Sequence, residues 1–262
     1  MCGTCGCTTS PRISLPSPTL PSPDLIHDHG HGHEHEHATN SATASRTVQL
    51  QQKVLAKNDE LAAGNREWLH DRGILALNLM SSPGAGKTTL LERTVRELGP
   101  RVPVCVIEGD QETELDAQRI QASGSRVVQI NTGAGCHLDA GMIATGLVAL
   151  DPPGGSVVVI ENVGNLVCPA LFDLGEAEKV VLASVTEGAD KPLKYPNMFR
   201  QASLVLLNKT DLLPYVDFDV PRYLSDLRRV APRAAVLQLS ATTGNGIQGW
   251  YEWLLQRVPA AA

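Results

Sequence analysis

The sequence predicts a doubly wound α/β fold built on one mainly parallel, seven-stranded sheet. Two observations support this: seven short apolar runs rich in Val, Ile and Leu, and helical patterns between several of them. Such runs are typical of strands buried on both faces, and the helical stretches suit the crossovers of parallel strands. Ligands of such sheets bind beyond the carboxyl ends of the strands, so the residues after each run are the functional candidates. The runs are residues 74–80, 102–108, 126–130, 156–160, 179–185, 202–208 and 234–240.

By composition, the chain divides into a tail and a folded domain. Residues 1–45 hold Cys-rich and His-rich segments joined by a stretch rich in Pro, Ser and Thr. This composition gives little to bury, so it predicts a disordered, metal-binding tail. Residues 46–262 predict one globular α/β domain that opens with an amphipathic helix. That helix carries Leu55 and Trp68 among its apolar positions and stops at Gly73.

Composition also excludes several classes of partner. The 262 residues are 42% hydrophobic, which is enough for a core, and the formal net charge of -6 gives no basic surface for nucleic acid. No stretch approaches the length of apolar sequence that spans a bilayer, and the N-terminal residues lack the pattern of a secretory signal. We therefore expect no membrane association and a cytoplasmic location. The six cysteines should stay thiols there, suited to metal or redox chemistry.

The first run is followed by SSPGAGKTTLLERTV, which resembles a phosphate-binding loop at the start of a helix. Ser81 holds the first glycine position of the strict pattern, and the rest of the pattern fits. The glycines let backbone N–H groups face phosphate oxygens, the lysine reaches the terminal phosphates, and the first threonine suits Mg²⁺. The candidate nucleotide contacts in this loop are Gly84, Ala85, Gly86, Lys87, Thr88 and Thr89.

The sixth run is followed by NKTD, residues Asn208, Lys209, Thr210 and Asp211, which indicates guanine. The Asp carboxylate can accept both the N1 and N2 hydrogens of guanine, which adenine does not offer, and the Lys stem can lie along the base. Ser240 and Ala241 follow the seventh run, and the N–H of Ala241 is expected to face the guanine carbonyl. Ser240 can instead simply cap a turn. The pattern favours GTP over ATP.

The fourth run leads into Glu161, Asn162, Val163 and Gly164, where GTPases commonly carry Asp-x-x-Gly. Glu161 is expected to reach Mg²⁺ through water and Gly164 to donate its N–H to the γ-phosphate. An ordinary turn with a surface Glu is the alternative. Asn165 stands where some signalling GTPases carry a water-positioning Gln, and the sequence names no arginine finger. Unassisted hydrolysis is therefore expected to be slow.

The second run is followed by Asp110, with Asp116 further along the chain. Asp110 can help to hold Mg²⁺ or orient the attacking water, but it can equally cap a helix, and both interpretations stay open. Asp116 is the weaker candidate. The sequence thus predicts Mg²⁺ contacts at Thr88, Asp110 and Glu161, and catalytic roles for Lys87, Asp110, Glu161 and Gly164.

Two loops at the same edge of the sheet offer soft metal ligands. NTGAGCHLDA after the third run contains Cys136 and His137, and Cys168 lies four residues past Gly164. Thiolate and imidazole suit Zn²⁺ or Ni²⁺, and three ligands leave the shell unfilled, so we expect a two-fold dimer with metal at its interface. Nucleotide state should then alter metal affinity, and metal should reciprocally alter nucleotide affinity. Cys105, inside a strand, is expected to be a core residue.

The tail offers two further metal sites. MCGTCGC supplies Cys2, Cys5 and Cys7 near a free amine, which suits a four-coordinate Ni²⁺ site. A redox dithiol is the alternative, although such a site normally starts a helix of a folded domain. Imidazoles interleaved with Gly, Asp and Glu should store metal weakly and release it as pH falls, unless they form only a solvated tail. These residues are His27, His29, His31, His33, His35 and His37.

Together these segments resemble the HypB family of nickel-insertion GTPases, which belongs to the SIMIBI class of P-loop proteins. The resemblance runs from about residue 46 to the C-terminus and is carried by SSPGAGKTT, EGDQ, NTGAGCHLDA, ENVGNLVCPA, NKTD and SAT. MCGTCGC is similar to a high-affinity nickel motif of some members, and the His-rich segment is similar to the storage tract of others.

The resemblance implies delivery of Ni²⁺ to the large subunit of nickel–iron hydrogenase, GTP-dependent dimerisation, and cooperation with the zinc-containing partner HypA. It also implies that the tail cysteines form the tight site and the Cys136, His137, Cys168 set the weaker, GTP-responsive one. The expected cofactors are GTP, Mg²⁺, Ni²⁺ and Zn²⁺. Two other functions stay open: a GTPase serving urease or another metalloenzyme, and a metal buffer whose nucleotide site only regulates storage.

Overall fold

The computed structural model describes residues 40–110, 115–133 and 135–259, which form seven strands, eight α-helices and two short 3₁₀ helices. The strands are Leu75–Ser81 (β1), Val104–Asp110 (β2), Arg126–Asn131 (β3), Val157–Glu161 (β4), Glu178–Ser184 (β5), Leu204–Asn208 (β6) and Ala235–Gln238 (β7). The α-helices are Asn40–Asp71 (α1), Lys87–Leu98 (α2), Leu115–Ala122 (α3), Ala140–Leu150 (α4), Lys191–Lys194 (α5), Pro196–Gln201 (α6), Val220–Val230 (α7) and Ile247–Leu255 (α8). The 3₁₀ helices are Cys168–Leu171 and Thr210–Tyr215.

The strands form one sheet in the order β3-β2-β4-β1-β5-β6-β7, and every pair of neighbours is parallel. The predicted doubly wound α/β fold is therefore confirmed, and each predicted strand overlaps an observed one. Because all seven strands run the same way, their carboxyl ends meet at one edge. The loops that carry the candidate functional residues follow these ends.

The long helix α1 crosses a boundary between two compact units, which divide between Val54 and Leu55. Of the first unit the structure describes residues 40–54, all of them part of α1. The second unit holds the rest of α1 and the sheet. The predicted N-terminal helix is confirmed; it starts at Asn40 and ends before Gly73, which adopts a left-handed φ of 61°. No helix among the described residues is both long and apolar enough to cross a membrane.

The central strand β1 is buried along its whole length because helices cover both faces of the sheet. Leu77 and Leu79 pack in the core cluster that includes the fully buried Trp250 of α8, while Met80 packs in a cluster on the opposite face. Burial on both faces explains why the strand sequences are apolar rather than alternating. Asn78 is the exception in the middle of β1: it is a fully buried amide on the same face as Met80.

Candidate functional site

A cavity of about 540 Å³ lies at the carboxyl edge of the sheet, and its volume is typical of a small-molecule site. The loop between β1 and α2, the ends of β2 and β4, the start of α3 and the segment after β6 surround it. Most of the predicted nucleotide residues therefore come together. Those that line it are Gly84, Gly86, Lys87, Thr88, Thr89, Asp110, Glu161, Gly164 and Lys209.

The loop between β1 and α2 has the backbone of a phosphate cradle. Gly84 and Gly86 adopt left-handed φ angles of 73° and 102°, which glycine reaches without strain. The loop runs directly into α2, whose first N–H groups and dipole favour an anion. Lys87 Nζ lies 3.0 Å from Ser81 Oγ, so the serine in the first glycine position holds the lysine at the cavity.

Substituting Gly86 by alanine tests this cradle. A Cβ there would lie 2.7 Å from Asn208 Nδ2, and φ is left-handed, so we expect Gly86→Ala to weaken GDP binding at least about tenfold and to cost about 1–3 kcal/mol of stability. Nucleotide titration and thermal unfolding measure both. Gly124→Ala is the matched control because its φ is 99° and its Cβ would meet nothing within 4 Å. Equal GDP affinity in the parent and Gly86→Ala would rule out the close contact as a constraint.

The NKTD segment is hydrogen-bonded to the phosphate loop. Asn208 Nδ2 donates to Ala85 O at 2.9 Å, and its Oδ1 accepts the N–H of Ala241 at 2.9 Å. Lys209 Nζ donates to Gly84 O at 2.7 Å, from a residue with a left-handed φ of 62°. The NKTD segment, the loop between β1 and α2 and the loop after β7 are thus held together by hydrogen bonds.

Asp211 is the residue best prepared for a base. Its Oδ1 is buried without a hydrogen-bond partner, an arrangement that costs free energy unless a ligand donor reaches it. At two neighbouring positions the structure shows other contacts: it differs from the prediction for Ala241 and matches the turn-capping alternative for Ser240. The N–H of Ala241 donates to Asn208 Oδ1 rather than facing a base, and Ser240 Oγ accepts the N–H of Thr243 at 3.0 Å, so Ser240 caps a turn.

Two buried carboxylates lie side by side at the floor of the cavity. Glu108 and Glu161 are register partners on neighbouring strands β2 and β4 and are each 3% exposed. Thr88 Oγ1 donates to Glu161 Oε1 at 3.1 Å, while Oε2 of both glutamates is buried without a partner. Sequence reasoning missed Glu108. The available signal was that a glutamate directly follows the apolar residues of each of these two strands, after Ile107 and after Ile160.

The electrostatics of this pair suit a cation. Burial, and then the nearby Glu161, raises the pKa of Glu108 to about 8; burial raises the pKa of Glu161 to about 7, against the opposing effect of Lys87. A divalent cation would favour the charged forms and give the unpartnered oxygens a ligand. Hard carboxylate and hydroxyl oxygens are the donors Mg²⁺ prefers, so the residues present fit the predicted Mg²⁺.

The acidic residues after β2 occupy the rim of the cavity. Asp110 is half-buried there, and its backbone oxygen accepts the N–H of Thr132 at 2.9 Å. Asp116 also lines the cavity but pairs with Arg119 at 3.1 Å, which supports its lower ranking. Arg119 itself lines the cavity, an arginine the sequence did not identify. Its guanidinium donates hydrogen bonds to Glu92 and Asp116, so residues of the same chain fix its position.

Gly164 lies directly against the phosphate loop. A Cβ at this position would be 3.1 Å from three atoms of Pro83, so a larger residue would push the two loops apart. The loop after β4 is therefore close enough to the phosphate loop for a ligand bound there to change its position. This placement agrees with the predicted role of the Gly164 N–H.

Cys136, His137 and Cys168 come together in a group that could hold a metal ion, here called the metal-binding cluster, although 32 residues separate the two cysteines. The Sγ atoms lie 3.0 Å apart, Cys136 Sγ lies 3.7 Å from His137 Nδ1, and the three ligand atoms all lie within 4.8 Å of one another. This donor set suits Zn²⁺ or Ni²⁺ rather than an oxygen-preferring cation. Among the described residues, this is the group of three Cys, His, Asp or Glu side chains that could share one metal ion.

The surroundings of the cluster keep the imidazole available as a ligand. The His137 ring stacks on Phe172, with centroids 4.0 Å apart, and burial lowers the pKa of His137. A neutral imidazole at neutral pH can bind a metal. Cys105 is buried in the core on β2, as predicted, and burial raises its pKa, so it stays a neutral thiol.

Comparison with known proteins identifies the fold family. The family model described as the CobW/HypB/UreG nucleotide-binding domain matches residues 75–238. The hydrogenase maturation factor HypB of Azotobacter vinelandii is 56% identical over 210 residues, which cover 80% of this chain and 69% of the relative. The chain belongs to the HypB family. The matched family model is a nucleotide-binding domain, and the predicted resemblance to the HypB family is confirmed.

Solved HypB structures support the same assignment. The crystal structure of HypB from Archaeoglobus fulgidus is 40% identical and gives a TM-score of 0.73, covering 78% of this chain and 100% of that one. HypB from Helicobacter pylori, in complex with nickel, is 38% identical with a TM-score of 0.73 and covers 79% of this chain and 99% of that one. The predicted P-loop fold of the HypB family is thus confirmed.

The metal sites predicted in the tail lie outside the described residues. They comprise the three tail cysteines, Cys2, Cys5 and Cys7, and the six tail histidines from His27 to His37. They remain predictions from the sequence. Within the HypB-family domain, the structure brings the predicted nucleotide residues and the Cys136 cluster to the same edge of the sheet.

The buried glutamates give this HypB-family domain a testable pH dependence. Because the pKa of Glu108 is raised, the folded chain keeps a proton that the unfolded chain loses, so stability falls as pH rises from about 4.5 towards 8. Glu108→Gln should therefore be more stable than the parent at pH 8.5 by on the order of 1–3 kcal/mol and equal to it near pH 4.5. Denaturant unfolding at both pH values measures this, with exposed Glu60→Gln as control. A gap that stays constant with pH would contradict it.

Proposed function

We propose that this HypB-family chain is a GTP-hydrolysing nickel metallochaperone that delivers Ni²⁺ to the large subunit of nickel–iron hydrogenase during maturation. The observation that supports it most is segment 161–168. It begins at the carboxylate beside Thr88, passes Gly164 against the phosphate loop, and ends at Cys168 in the metal-binding cluster. The Azotobacter relative is named a hydrogenase maturation factor and the Helicobacter structure contains nickel, which supports both halves of the proposal.

Each step of GTP turnover has a residue in the cavity. Lys87 neutralises the terminal phosphates, and Thr88 with Glu161 and Glu108 provides the oxygen donors for Mg²⁺. Mg²⁺, when bound, neutralises phosphate charge. Asp110 and Gly164 both line the cavity. In this proposal Asp110 orients the attacking water and the Gly164 N–H donates to the γ-phosphate. Without a water-positioning glutamine at residue 165, hydrolysis is slow.

The metal-binding cluster and its surroundings support a homodimer. Val167 is 55% exposed and Leu171 is 50% exposed, so apolar side chains reach the surface on either side of the buried Cys168. Exposed apolar residues beside a three-donor cluster suit burial against a second copy, which would also complete the metal shell. We assign Ni²⁺ or Zn²⁺ to this shared site and expect GTP to favour the dimer.

The remaining parts of the proposal rest on the sequence. Tail residues 1–45 bind nickel tightly through the three cysteines and store it through the histidines, and residues 46–262 form the GTPase. The chain works in the cytoplasm with a HypA-type zinc-containing nickel chaperone. It uses neither nucleic acid nor membrane.

Lys87→Ala tests the proposal in cells that lack their own copy. GTP hydrolysis should fall by about a hundredfold or more, and hydrogenase activity should be lost even when nickel is plentiful. Lys57→Ala, on the exposed side of α1, is the matched control. If Lys87→Ala supported hydrogenase maturation as well as the parent, the GTP-driven delivery would be wrong.

Deleting residues 1–40 separates delivery from storage. A delivery protein should keep GTP hydrolysis and support hydrogenase when nickel is plentiful, because its catalytic cavity lies in the remaining domain. If the chain is instead a metal buffer, the deletion should abolish its contribution to hydrogenase activity at every nickel concentration. Urease activity is measured alongside hydrogenase activity in the same Lys87→Ala and tail-deleted cells, to decide which enzyme receives the metal. Loss of urease activity with hydrogenase activity retained would favour the urease alternative.

A further inference from the structure

Four asparagines are buried beside the sheet, outside the predicted ligand positions, and each one joins two segments of the chain. They are Asn58 and Asn65 of α1, Asn78 of β1, and Asn162 directly after β4. A buried amide costs free energy unless its donor and acceptor groups are hydrogen-bonded. All four are bonded, so their contacts show which segments the fold holds at fixed distances.

Asn162 lies inside the nucleotide-facing loop, between Glu161 and Gly164, and is 1% exposed. Its Oδ1 accepts the N–H of Leu138 at 3.4 Å, and its Nδ2 donates to Asn78 Oδ1 at 3.2 Å. Leu138 is the residue after the metal ligand His137. One side chain of the nucleotide-facing loop is therefore bonded to the backbone of the loop that carries two of the three metal ligands.

Asn78 of β1 bonds to the later part of the same connection between β4 and β5. Its Nδ2 donates to Glu176 Oε1 at 3.3 Å, and Glu176 Oε2 accepts the N–H of Leu174 at 2.7 Å. Leu174 lies six residues beyond Cys168, next to the ring-stacking Phe172 segment. The buried polar path thus runs from Asn162, across β1, to the part of the same β4–β5 connection that lies beyond the metal ligand Cys168.

Helix α1 joins the far ends of the two ligand-bearing segments. Asn58 accepts the N–H of Ala140 at 2.9 Å and donates to Asp173 O at 2.7 Å. Asn65, two helical turns later, donates to Ala140 O at 2.9 Å and to Leu174 O at 3.0 Å. Ala140 starts α4, three residues after His137, so both metal-bearing segments are anchored on the same helix.

These contacts close into a ring, which we call the amide ring: Asn162, Asn78, Glu176, the α1 asparagines and the 138–140 segment, back to Asn162. Resting on the proposed coupling of nucleotide to metal, we propose that Asn162 is the positioning residue that transmits the state of the nucleotide-facing loop to the metal-binding cluster, through Leu138 and Asn78. Asn58 and Asn65 hold the opposite side of the ring fixed.

The ring has little freedom to absorb a movement without passing it on. At Gly175, with a left-handed φ of 91°, a Cβ would lie 2.6 Å from Asn65 Cβ and 2.7 Å from Ala62 O, so the loop touches the α1 backbone. On the nucleotide side, a Cβ at Gly164 would lie 3.1 Å from Pro83, so these two loops are also in contact. Close-packed contacts of this kind transmit displacement rather than damp it. A shift of the nucleotide-facing loop must therefore move Asn162 relative to Leu138.

The test measures Ni²⁺ affinity in the full chain with the tail cysteines changed to Ser and the tail histidines to Gln. Each protein is titrated against a competing chelator with Mg²⁺ and GDP, and again with Mg²⁺ and a non-hydrolysable GTP analogue. In this background the two affinities should differ by about fivefold or more. Asn162→Ala and Asn78→Ala should bring the ratio to within about twofold of one. Asn197→Ala, exposed on α6, should leave it unchanged.

The outcomes separate this inference from the function it rests on. A ratio of one in the background would refute the coupling in the proposed function, and the inference with it. A background ratio that persists in Asn162→Ala and Asn78→Ala, with both affinities lowered equally, would overturn the inference alone, because a merely structural residue lowers both states together.

A second measurement needs no variant, in case the buried substitutions prevent folding. The Leu138 N–H donates to Asn162, so its hydrogen-exchange protection reports on that contact in the unmodified full chain. We expect the protection to change by about fivefold or more between the two nucleotide states and again when Ni²⁺ is added. Equal protection in all states would overturn the inference.

Discussion

Replacing Asp211 by asparagine should change the preferred base from guanine to xanthine, with a change in relative affinity of about a thousandfold or more. Asp211 Oδ1 is buried without a partner and lies beyond the hydrogen-bonded Asn208 and Lys209, where a base would meet it. Guanine offers donors at N1 and N2, whereas xanthine has a carbonyl oxygen at position 2. An asparagine amide can donate to that oxygen and leaves the guanine N2 hydrogens poorly paired.

Competition binding with GDP, xanthosine diphosphate and ADP measures this change. Exposed Asp217→Asn, a few residues further along, is the matched control and should keep the preference for guanine. A folded Asp211→Asn protein that still prefers guanine would show that another group selects the base, and the GTP assignment would lose its structural basis.

The fold was predictable because local signals and tertiary structure agree. The inner strands β1, β2, β4, β5 and β6 are mostly apolar and buried because helices cover both faces of the sheet, so short Val- and Leu-rich runs mark them without an alternating pattern. The phosphate loop was equally predictable from the sequence, because Gly84 and Gly86 supply the left-handed φ angles that the turn requires.

The contacts that the sequence could not predict are those that join distant segments. Glu108 becomes a candidate cation ligand because it lies in register with Glu161. No local sequence signal predicts this pairing, since the two residues are 53 positions apart in the chain. Asn65 looks like an ordinary polar helix residue until the fold brings Leu174 to it across 109 residues. Arg119 likewise reaches the cavity only because α3 packs beside α2. Chemistry that depends on neighbours in space is visible only after folding.

Replacing Cys168 by serine should remove nickel from the metal-binding cluster, lowering Ni²⁺ affinity by more than about a hundredfold in the tail-substituted full chain. Cys168 Sγ lies 3.0 Å from Cys136 Sγ, so the two thiolates share one metal position, and a serine hydroxyl is a poor ligand for a borderline metal. Chelator competition under reducing conditions and the thiolate-to-nickel absorption band measure the loss. Cys105→Ala, which empties a core position on β2, should retain nickel. Loss of nickel in both variants would indicate a general effect on folding.

The same cluster predicts the pH dependence of nickel binding. A thiol must lose its proton to bind metal as a thiolate, so affinity should fall as pH falls from 8.5 to 7. Burial keeps the pKa of His137 below its ordinary value of 6.5, so the imidazole is already neutral over this range and contributes no slope. His137→Gln should therefore lower the affinity at every pH in the range and leave the slope unchanged. A flatter slope in His137→Gln would show that the imidazole titrates with the thiols, and that Phe172 and the surrounding burial do not hold it neutral.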